Sequence, residues 1–222
     1  MRATLTLVCL LLALPVVAVL GAWVGLDAQA LATLRHQAQT VLAGYAGQSV
    51  LLALGVAAGV TLLGSATAAA VTLLDFPGRR SFEWALLLPL AMPAYVLAYA
   101  WTDALQFSGP LQTALRGWLG MRGALWPDPR SLGGAVGLFV LALYPYVYLL
   151  TRTALGERAA HLLEAARLLG AGPWRRLVAV ALPLARPAVT AGVALAGVET
   201  LADYGVGGDF GAAAFSTGIL RA

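Results

Sequence analysis

The stretch that decides the fold is residues 37–74, with the sequence QAQTVLAGYAGQSVLLALGVAAGVTLLGSATAAAVTLL and no charged residue. A transmembrane helix needs about 20 mainly apolar residues to cross the hydrocarbon core of a bilayer. This run is longer than one span requires, so its start, which contains Gly44 and Gly47, is predicted to lie at the membrane interface. We predict one transmembrane helix within residues 37–74.

Four other stretches have the same character. Together with residues 37–74, the predicted spans are 3–26, 84–102, 131–151 and 187–205. The first begins after Arg2 as a signal peptide would, but its apolar run exceeds the 7–15 residues of a signal-peptide core, and we interpret it as a retained helix. The predicted fold class is all-α, a polytopic membrane bundle of about five transmembrane helices.

The composition excludes a soluble or disordered chain. Of the 222 residues, 60% are hydrophobic and 11% are charged, whereas soluble domains carry about a quarter charged residues. The net charge of +4 is interpreted through the membrane rather than as a sign of nucleic-acid binding. One cysteine and two distant histidines give no basis for a disulfide, a metal site or a cofactor.

The arginines predict the orientation of the chain. With a cytoplasmic N-terminus, nine arginines lie on the cytoplasmic side and four on the outer side, as the positive-inside rule favours. The segment 107–130 then lies outside, and its Gly-Pro and Pro-Asp-Pro sequences predict a turn-rich, partly ordered loop.

A long segment on the predicted cytoplasmic side, residues 153–186, has the pattern of two helices joined by a tight turn. Residues 157–169 are rich in helix formers. Gly170 is a helix stop, and Pro173 suits the first turn of a second helix, predicted to end at Leu182-Pro183. The two faces of the first helix are apolar (Leu162, Ala166, Leu169) and polar (Glu157, His161, Glu164).

Within this segment, Glu164-Ala165-Ala166, Gly170 after three residues and Val180-Ala181-Leu182-Pro183 after nine more form an ordered pattern. The pattern resembles the EAA motif, E-A-A-x3-G-x9-I-x-L-P, of inner-membrane permeases of binding-protein-dependent ABC importers. We call residues 153–186 the EAA loop. The resemblance implies a coupling loop that docks on an ATPase subunit, through Glu164, Ala165, Ala166, Gly170, Leu182 and Pro183. The alternative is an ordinary amphipathic helix with a Glu164–Arg167 ion pair.

Residues 88–99, 142–148, 199–205 and 215–222 are similar to segments of ferric-iron ABC permeases. The resemblance implies a bacterial inner-membrane permease that moves ferric iron from a periplasmic binding protein into the cytoplasm. ATP hydrolysis would belong to a partner chain, so the chain itself is not expected to be an enzyme. Members of this type carry two homologous halves, so residues 1–222 are expected to be one incomplete permease domain, with the second half fused or separate.

Two acidic residues, Glu199 and Asp203, lie one helical turn apart in the last predicted span. Intramembrane acids are costly and often functional, so both are candidates for a cation path. The alternative is hydrogen bonding near the outer interface.

Prolines and tyrosines in the other spans are further candidates for the path. Pro89 and Pro93 can kink the third span, and Tyr95, Tyr99 and Tyr144 offer hydroxyl groups to a hard cation. An interfacial aromatic girdle is the alternative for these tyrosines.

Glycines in residues 37–74 suggest close helix packing. Gly55 and Gly59 have the spacing that allows helices to approach closely, and Gly64 extends the row.

Other functions remain open at this point: a permease for thiamine or another small solute, an intramembrane enzyme, or a passive membrane anchor. No protease or hydrolase motif and no P-loop occurs in the chain, which disfavours the enzyme.

Overall fold

The computed structural model describes residues 6, 11, 13–18, 20–21, 27–157, 160–203 and 210. The chain divides into two compact units, Met1–Gly44 and Tyr45–Ala222. In the first unit, residues 13–18 are helical and α1 follows at Ala28–Thr40. Most of the first predicted span, residues 3–26, lies outside the described residues.

All regular secondary structure in the described residues is helical. After α1 come α2 (Leu42–Leu73), α3 (Arg79–Ala85), a 3₁₀ turn (Leu88–Ala91), α4 (Ala94–Leu105), α5 (Pro110–Leu119), α6 (Leu132–Glu157), α7 (Ala160–Leu168), α8 (Pro173–Arg176), a π-helical turn (Leu177–Ala181) and α9 (Leu182–Ala202). Within the described ranges, three helices are long and apolar enough to cross a membrane: Leu42–Leu73, Leu132–Gly156 and Trp174–Ala202. The predicted all-α polytopic class is confirmed.

The third predicted span, residues 84–102, is not one continuous helix. The stretch Arg79–Ala91 and the stretch Ala94–Leu119 are bent by 99° at the break between them, and counting this bent pair as one span gives up to four spans. The break has a physical cause in Pro93, because the residue before a proline is pushed out of the helical region. Met92 is extended accordingly, with φ −112° and ψ 131°.

The sequence predicted that the second helix of the EAA loop ends at Leu182-Pro183, and this prediction is wrong. The helix continues through the π-helical turn into α9, so that Trp174–Ala202 forms one 29-residue helix. In the π-helical turn, the Leu182 N–H donates to the carbonyl of Leu177, five residues back. This wider turn accommodates Pro183, which has no N–H to donate and whose ring would clash with the carbonyl four residues back in a regular helix.

The segment 107–130, predicted to be turn-rich, contains α5 and is held by one buried amide. Gln112 is 1% exposed. Its Nε2 donates to the Leu105 carbonyl at 3.1 Å, and its Oε1 accepts the Leu125 N–H at 3.4 Å. Trp126 Nε1 donates to the same Leu105 carbonyl at 2.8 Å. The loop after α5 is therefore fixed against the end of α4.

The helix α6 lies at the centre of the second unit, and glycines bring its neighbours close. Val147 is fully buried between Gly64 of α2 and Gly192 of α9. A Cβ atom at Gly64 would lie 2.7 Å from Val147 Cβ, and one at Gly192 would lie 2.8 Å from Val147 Cα. Gly55 and Gly59 face Val136 and Val140 of α6 in the same way. The predicted packing role of the α2 glycines is confirmed.

A second, smaller core joins the EAA loop to the ends of the long helices. Its buried members are Leu155, Leu163, Ala181 and Ala185, and Leu73, Leu177, Val180 and Val189 pack around them. Leu163 is the side chain by which α7 is anchored, because it is 7% exposed while its neighbour Leu162 is 52% exposed. We call this side of the molecule the EAA end.

Candidate functional site: the EAA loop and the broken span

The turn after α7 has the geometry predicted for Gly170. Gly170 has φ +76°, a left-handed conformation that glycine adopts without strain. Its N–H donates to the Arg167 carbonyl at 3.0 Å, and the Ala171 N–H donates to the Ala166 carbonyl at 2.9 Å. This pair of bonds is a Schellman motif, which ends the helix and satisfies its last carbonyl groups.

The outer surface of the loop is apolar and open. Around the turn, Leu168, Leu169 and Trp174 are 90%, 87% and 74% exposed. The predicted apolar face is thus exposed at Leu162 and Leu169 and half-buried at Ala166. Exposed apolar side chains grouped at one turn make it a candidate surface for a partner protein.

Glu164 lies beside cations without pairing with them. It is exposed, and it lines a cavity of about 210 Å³ together with Asp75, Arg167 and Arg176. The Glu164–Arg167 ion pair of the alternative interpretation is not formed between these two described residues. Arg176 Nε is buried and has no hydrogen-bond partner among the described residues. The carboxylate of Glu164 is therefore available to a partner.

The remaining residues of the motif lie where the loop joins α9. Ala165 is exposed, while Leu182 and Pro183 lie at the start of α9, with Leu182 38% exposed. Leu182 also lines an apolar groove between α2 and the Trp174–Leu182 stretch. The motif residues thus lie in α7, in the turn that follows it and at the start of α9.

The candidates for the path are spread over three elements. Pro89 lies in the 3₁₀ turn and Pro93 at the break of the bent span, so both prolines shape the bend. Tyr95 and Tyr99, one turn apart on α4, are 56% and 66% exposed. These two tyrosines therefore present their rings outside the packed core of the unit.

Tyr144 has a different environment from the two tyrosines of α4. It is 7% exposed, and its hydroxyl donates to the Leu86 carbonyl at 2.9 Å. This bond crosses from α6 to the residue that follows α3. The hydroxyl of Tyr144 is therefore already engaged in holding the bent span.

Glu199 and Asp203 lie at the end of α9. Glu199 is exposed, and Asp203 caps the helix, its N–H donating to the Glu199 carbonyl at 3.0 Å. In the part of the chain that the structure describes, no group of three or more His, Cys, Asp or Glu side chains is suited to a metal ion.

Sequence reasoning missed a cluster of charges beneath the bent span. Glu83 Oε2 lies 2.6 Å from Arg152 Nη2, and Glu83 Oε1 lies 3.2 Å from Arg79 Nε. Arg79 also binds Asp75 at 3.0 Å. The spacing of Asp75, Arg79 and Glu83 by four residues was a signal for two of these contacts. The contact with Arg152 spans 69 residues and depends on the fold.

A family model described as "Binding-protein-dependent transport system inner membrane component" matches residues 60–219, which include the bent span, α6, the EAA loop and α9. The match covers more than half of the chain, and the chain therefore belongs to this family. The class predicted from the EAA motif, a binding-protein-dependent ABC permease, is confirmed, and the chain is a multi-pass membrane protein.

The individual relatives are named as permease proteins of molybdenum and sulfate transport systems. The molybdenum transport system permease protein ModB of Escherichia coli (strain K12) is 32% identical over 130 residues, covering 59% of this chain and 55% of that protein. ModB of Haemophilus influenzae is 30% identical over 132 residues, with the same shares. The probable sulfate transport system permease protein cysT of Chlorokybus atmophyticus is 30% identical over 131 residues, covering 59% and 44%. The chain spans about half the length of these relatives.

Proposed function

We propose that the chain is the transmembrane part of an ATP-driven importer and that its EAA loop docks on a separate ATPase subunit. The observation that carries this proposal is that the loop is buried against the spans on one side and exposed on the other. Leu163 anchors α7 in the EAA-end core, while Leu168, Leu169 and Glu164 remain exposed. A surface that is open to a partner and fixed to the spans can pass a partner's movement to the bundle as a rigid body. ATP hydrolysis then belongs to the partner chain.

We place the EAA end and the N-terminus on the cytoplasmic side. The support is the arginine distribution, with nine on that side against four on the other. Arg79, Arg152, Arg167 and Arg176 are grouped at the EAA end by their contacts and by the small cavity. The opposite end, with α5 and the Gln112-bonded loop, then faces the periplasmic binding protein. A second permease half, fused or separate, completes the pathway in the lipid bilayer.

The first candidate cargo is an oxyanion of the molybdate and sulfate class. It is supported by the names of relatives at 30–32% identity. Ferric iron, implied by the resemblance of residues 88–99 and 199–205, is the second candidate, and the acidic pair Glu199 and Asp203 favours a cation. Reconstituted with its ATPase and binding protein in vesicles, the permease is expected to import radiolabelled molybdate or sulfate when ATP is present. ATP-driven uptake of ferric iron alone would reverse this order.

The docking step is tested by changing the exposed apolar surface. The double substitution Leu168→Ser and Leu169→Ser should reduce co-purification of the ATPase and ATP-driven uptake, with the permease still present in the membrane. Trp118→Ser is the matched control for ATPase co-purification alone, because Trp118 is 84% exposed on α5, at the end away from the EAA loop. Equal ATPase co-purification in the double variant, the control and the wild type would refute docking through this surface.

A further inference from the structure

The helix α6 holds the bent span through three side chains in one row, which we call the α6 row: Tyr144, Tyr148 and Arg152. They are spaced by four residues and therefore share one face of the helix. Tyr144 donates to the Leu86 carbonyl at 2.9 Å, Tyr148 donates to the Glu83 carbonyl at 3.3 Å, and Arg152 binds the Glu83 carboxylate at 2.6 Å. The partner atoms of all three contacts belong to residues 83–86.

The ion pair is the strongest of these contacts in charge and geometry. The Glu83 side chain is 16% exposed and lies between two guanidinium groups, those of Arg79 and Arg152. Removing the carboxylate would leave Arg152, which is 38% exposed, without its charged partner. When an ion pair is partly shielded from water, removing one partner leaves the other charge uncompensated, which is unfavourable.

The same helix is packed onto the EAA loop one turn further along. Leu155 of α6, three residues after Arg152, is 1% exposed and belongs to the core that contains Leu163 of α7 and Ala181. A movement of the loop would therefore strain the end of α6, because close-packed interiors have low compressibility and transmit strain.

The residues that the α6 row contacts lie close in sequence to the break in the bent span. Glu83 and Leu86 lie just before the 3₁₀ turn Leu88–Ala91, and the extended Met92 follows at the 99° bend. A few residues at the end of an element are the usual place where a hinge absorbs a change of backbone angle. The α6 row thus lies between the loop and the bend.

From this arrangement we infer that the α6 row links the EAA loop to the bent span, and that Glu83 and Arg152 are positioning residues for transport. When the loop moves with a bound ATPase, α6 moves with it and draws α3 along through the Glu83–Arg152 pair. The bent span, with Pro89 and Pro93 at its break, then changes its angle. This inference rests on the proposed function.

The test is a double-substitution cycle in the complete transporter, reconstituted with its ATPase and binding protein. The variants are Glu83→Gln, Arg152→Met and the two combined. Arg80→Met is the matched control, because Arg80 is exposed on α3, the helix that contains Glu83, and forms no ion pair with a described residue. The quantity measured is cargo imported per ATP hydrolysed, with ATPase co-purification recorded for each variant.

Each single variant should lower import per ATP by roughly 2- to 30-fold, the range for residues that modulate coupling between distant sites. Import per ATP in the double variant should fall no lower than in the single variant with the lower import per ATP, because the two residues act as one contact. ATPase co-purification should stay at the wild-type level, which distinguishes lost linkage from lost docking. Tyr148→Phe removes one hydroxyl and should lower import per ATP in the same direction, so it decides the matter if a charge variant fails to reach the membrane.

Import per ATP that is unchanged in the single variants and in Tyr148→Phe would overturn the linkage. Losses that add fully in the double variant would also overturn it, because they would show two independent roles. These outcomes leave the proposed function standing, since they presuppose ATP-driven import by the wild type. Absence of any ATP-driven import by the wild-type complex would remove the proposed function, and the linkage with it.

Discussion

Gly170→Val is the change whose cost the structure isolates most cleanly. Gly170 has φ +76°, and a Cβ atom added there would meet no atom within 4 Å. The cost is therefore confined to the backbone, at about 1–2 kcal/mol for an L-residue in the left-handed region, with a β-branched residue at the upper end. That free energy lowers the equilibrium constant for the native turn by roughly 5- to 30-fold. We expect ATP-driven import to fall by at most this factor while membrane insertion is kept.

The assay is ATP hydrolysis and import by the complete transporter in vesicles, normalised to the amount of permease. Gly170→Asn should cost less than Gly170→Val, because asparagine tolerates the left-handed conformation. Gly172→Val is the matched control, since a Cβ at Gly172 also meets no atom within 4 Å but its φ is not left-handed. Wild-type import and stimulated hydrolysis in Gly170→Val would refute the reasoning, as would an equal loss in Gly172→Val.

Three further predictions concern packing, charge and orientation. Gly192→Val should lower the thermal stability of the purified permease, because its Cβ would meet the backbone of α6. Gly197→Val on the same helix should be neutral, because a Cβ at Gly197 meets no atom within 4 Å. Equal melting temperatures of the two variants would contradict the packing. Glu199→Gln should slow import of a cation but leave import of an oxyanion equal or faster, measured as initial uptake rate, and slower oxyanion import would assign the carboxylate another role. In a cysteine-free background, His161→Cys should react with an impermeant thiol reagent only from the cytoplasmic side and Trp118→Cys only from the outside, and the reverse pattern would invert the proposed orientation.

Much of the fold was predictable because hydropathy and helix geometry act locally. Most of the uncharged run 37–74 forms α2, Leu42–Leu73, as expected. The residues around Gly170 form a helix, a left-handed turn and a second helix, also as expected. The break in the third span was foreshadowed by its prolines, yet its 99° bend was not predicted. Whether a proline kinks a helix or breaks it depends on what else holds the chain. Pro145 stays inside the continuous α6, where its neighbours Tyr144 and Val147 are buried.

The candidate site was predictable in part. The EAA motif indicated the loop and its family from residue types at fixed spacing. The roles of Tyr95, Tyr99, Glu199 and Asp203 in a path remain predictions. The sequence made Tyr144 a candidate for the path or for an aromatic girdle, and in the structure its hydroxyl donates to the Leu86 carbonyl.

By itself the sequence determined that this is a helical membrane protein with an EAA loop, because span length, charge placement and turn chemistry depend on residues close together in the chain. Only the tertiary structure decided which side of α7 is anchored, since Leu162 and Leu163 are equally apolar but Leu163 is buried in the core that contains Leu155 and Leu162 is exposed. It also decided that Glu83 pairs with Arg152, a contact across 69 residues. Such a contact depends on how α3 and α6 pack, and local sequence patterns contain no information on that packing.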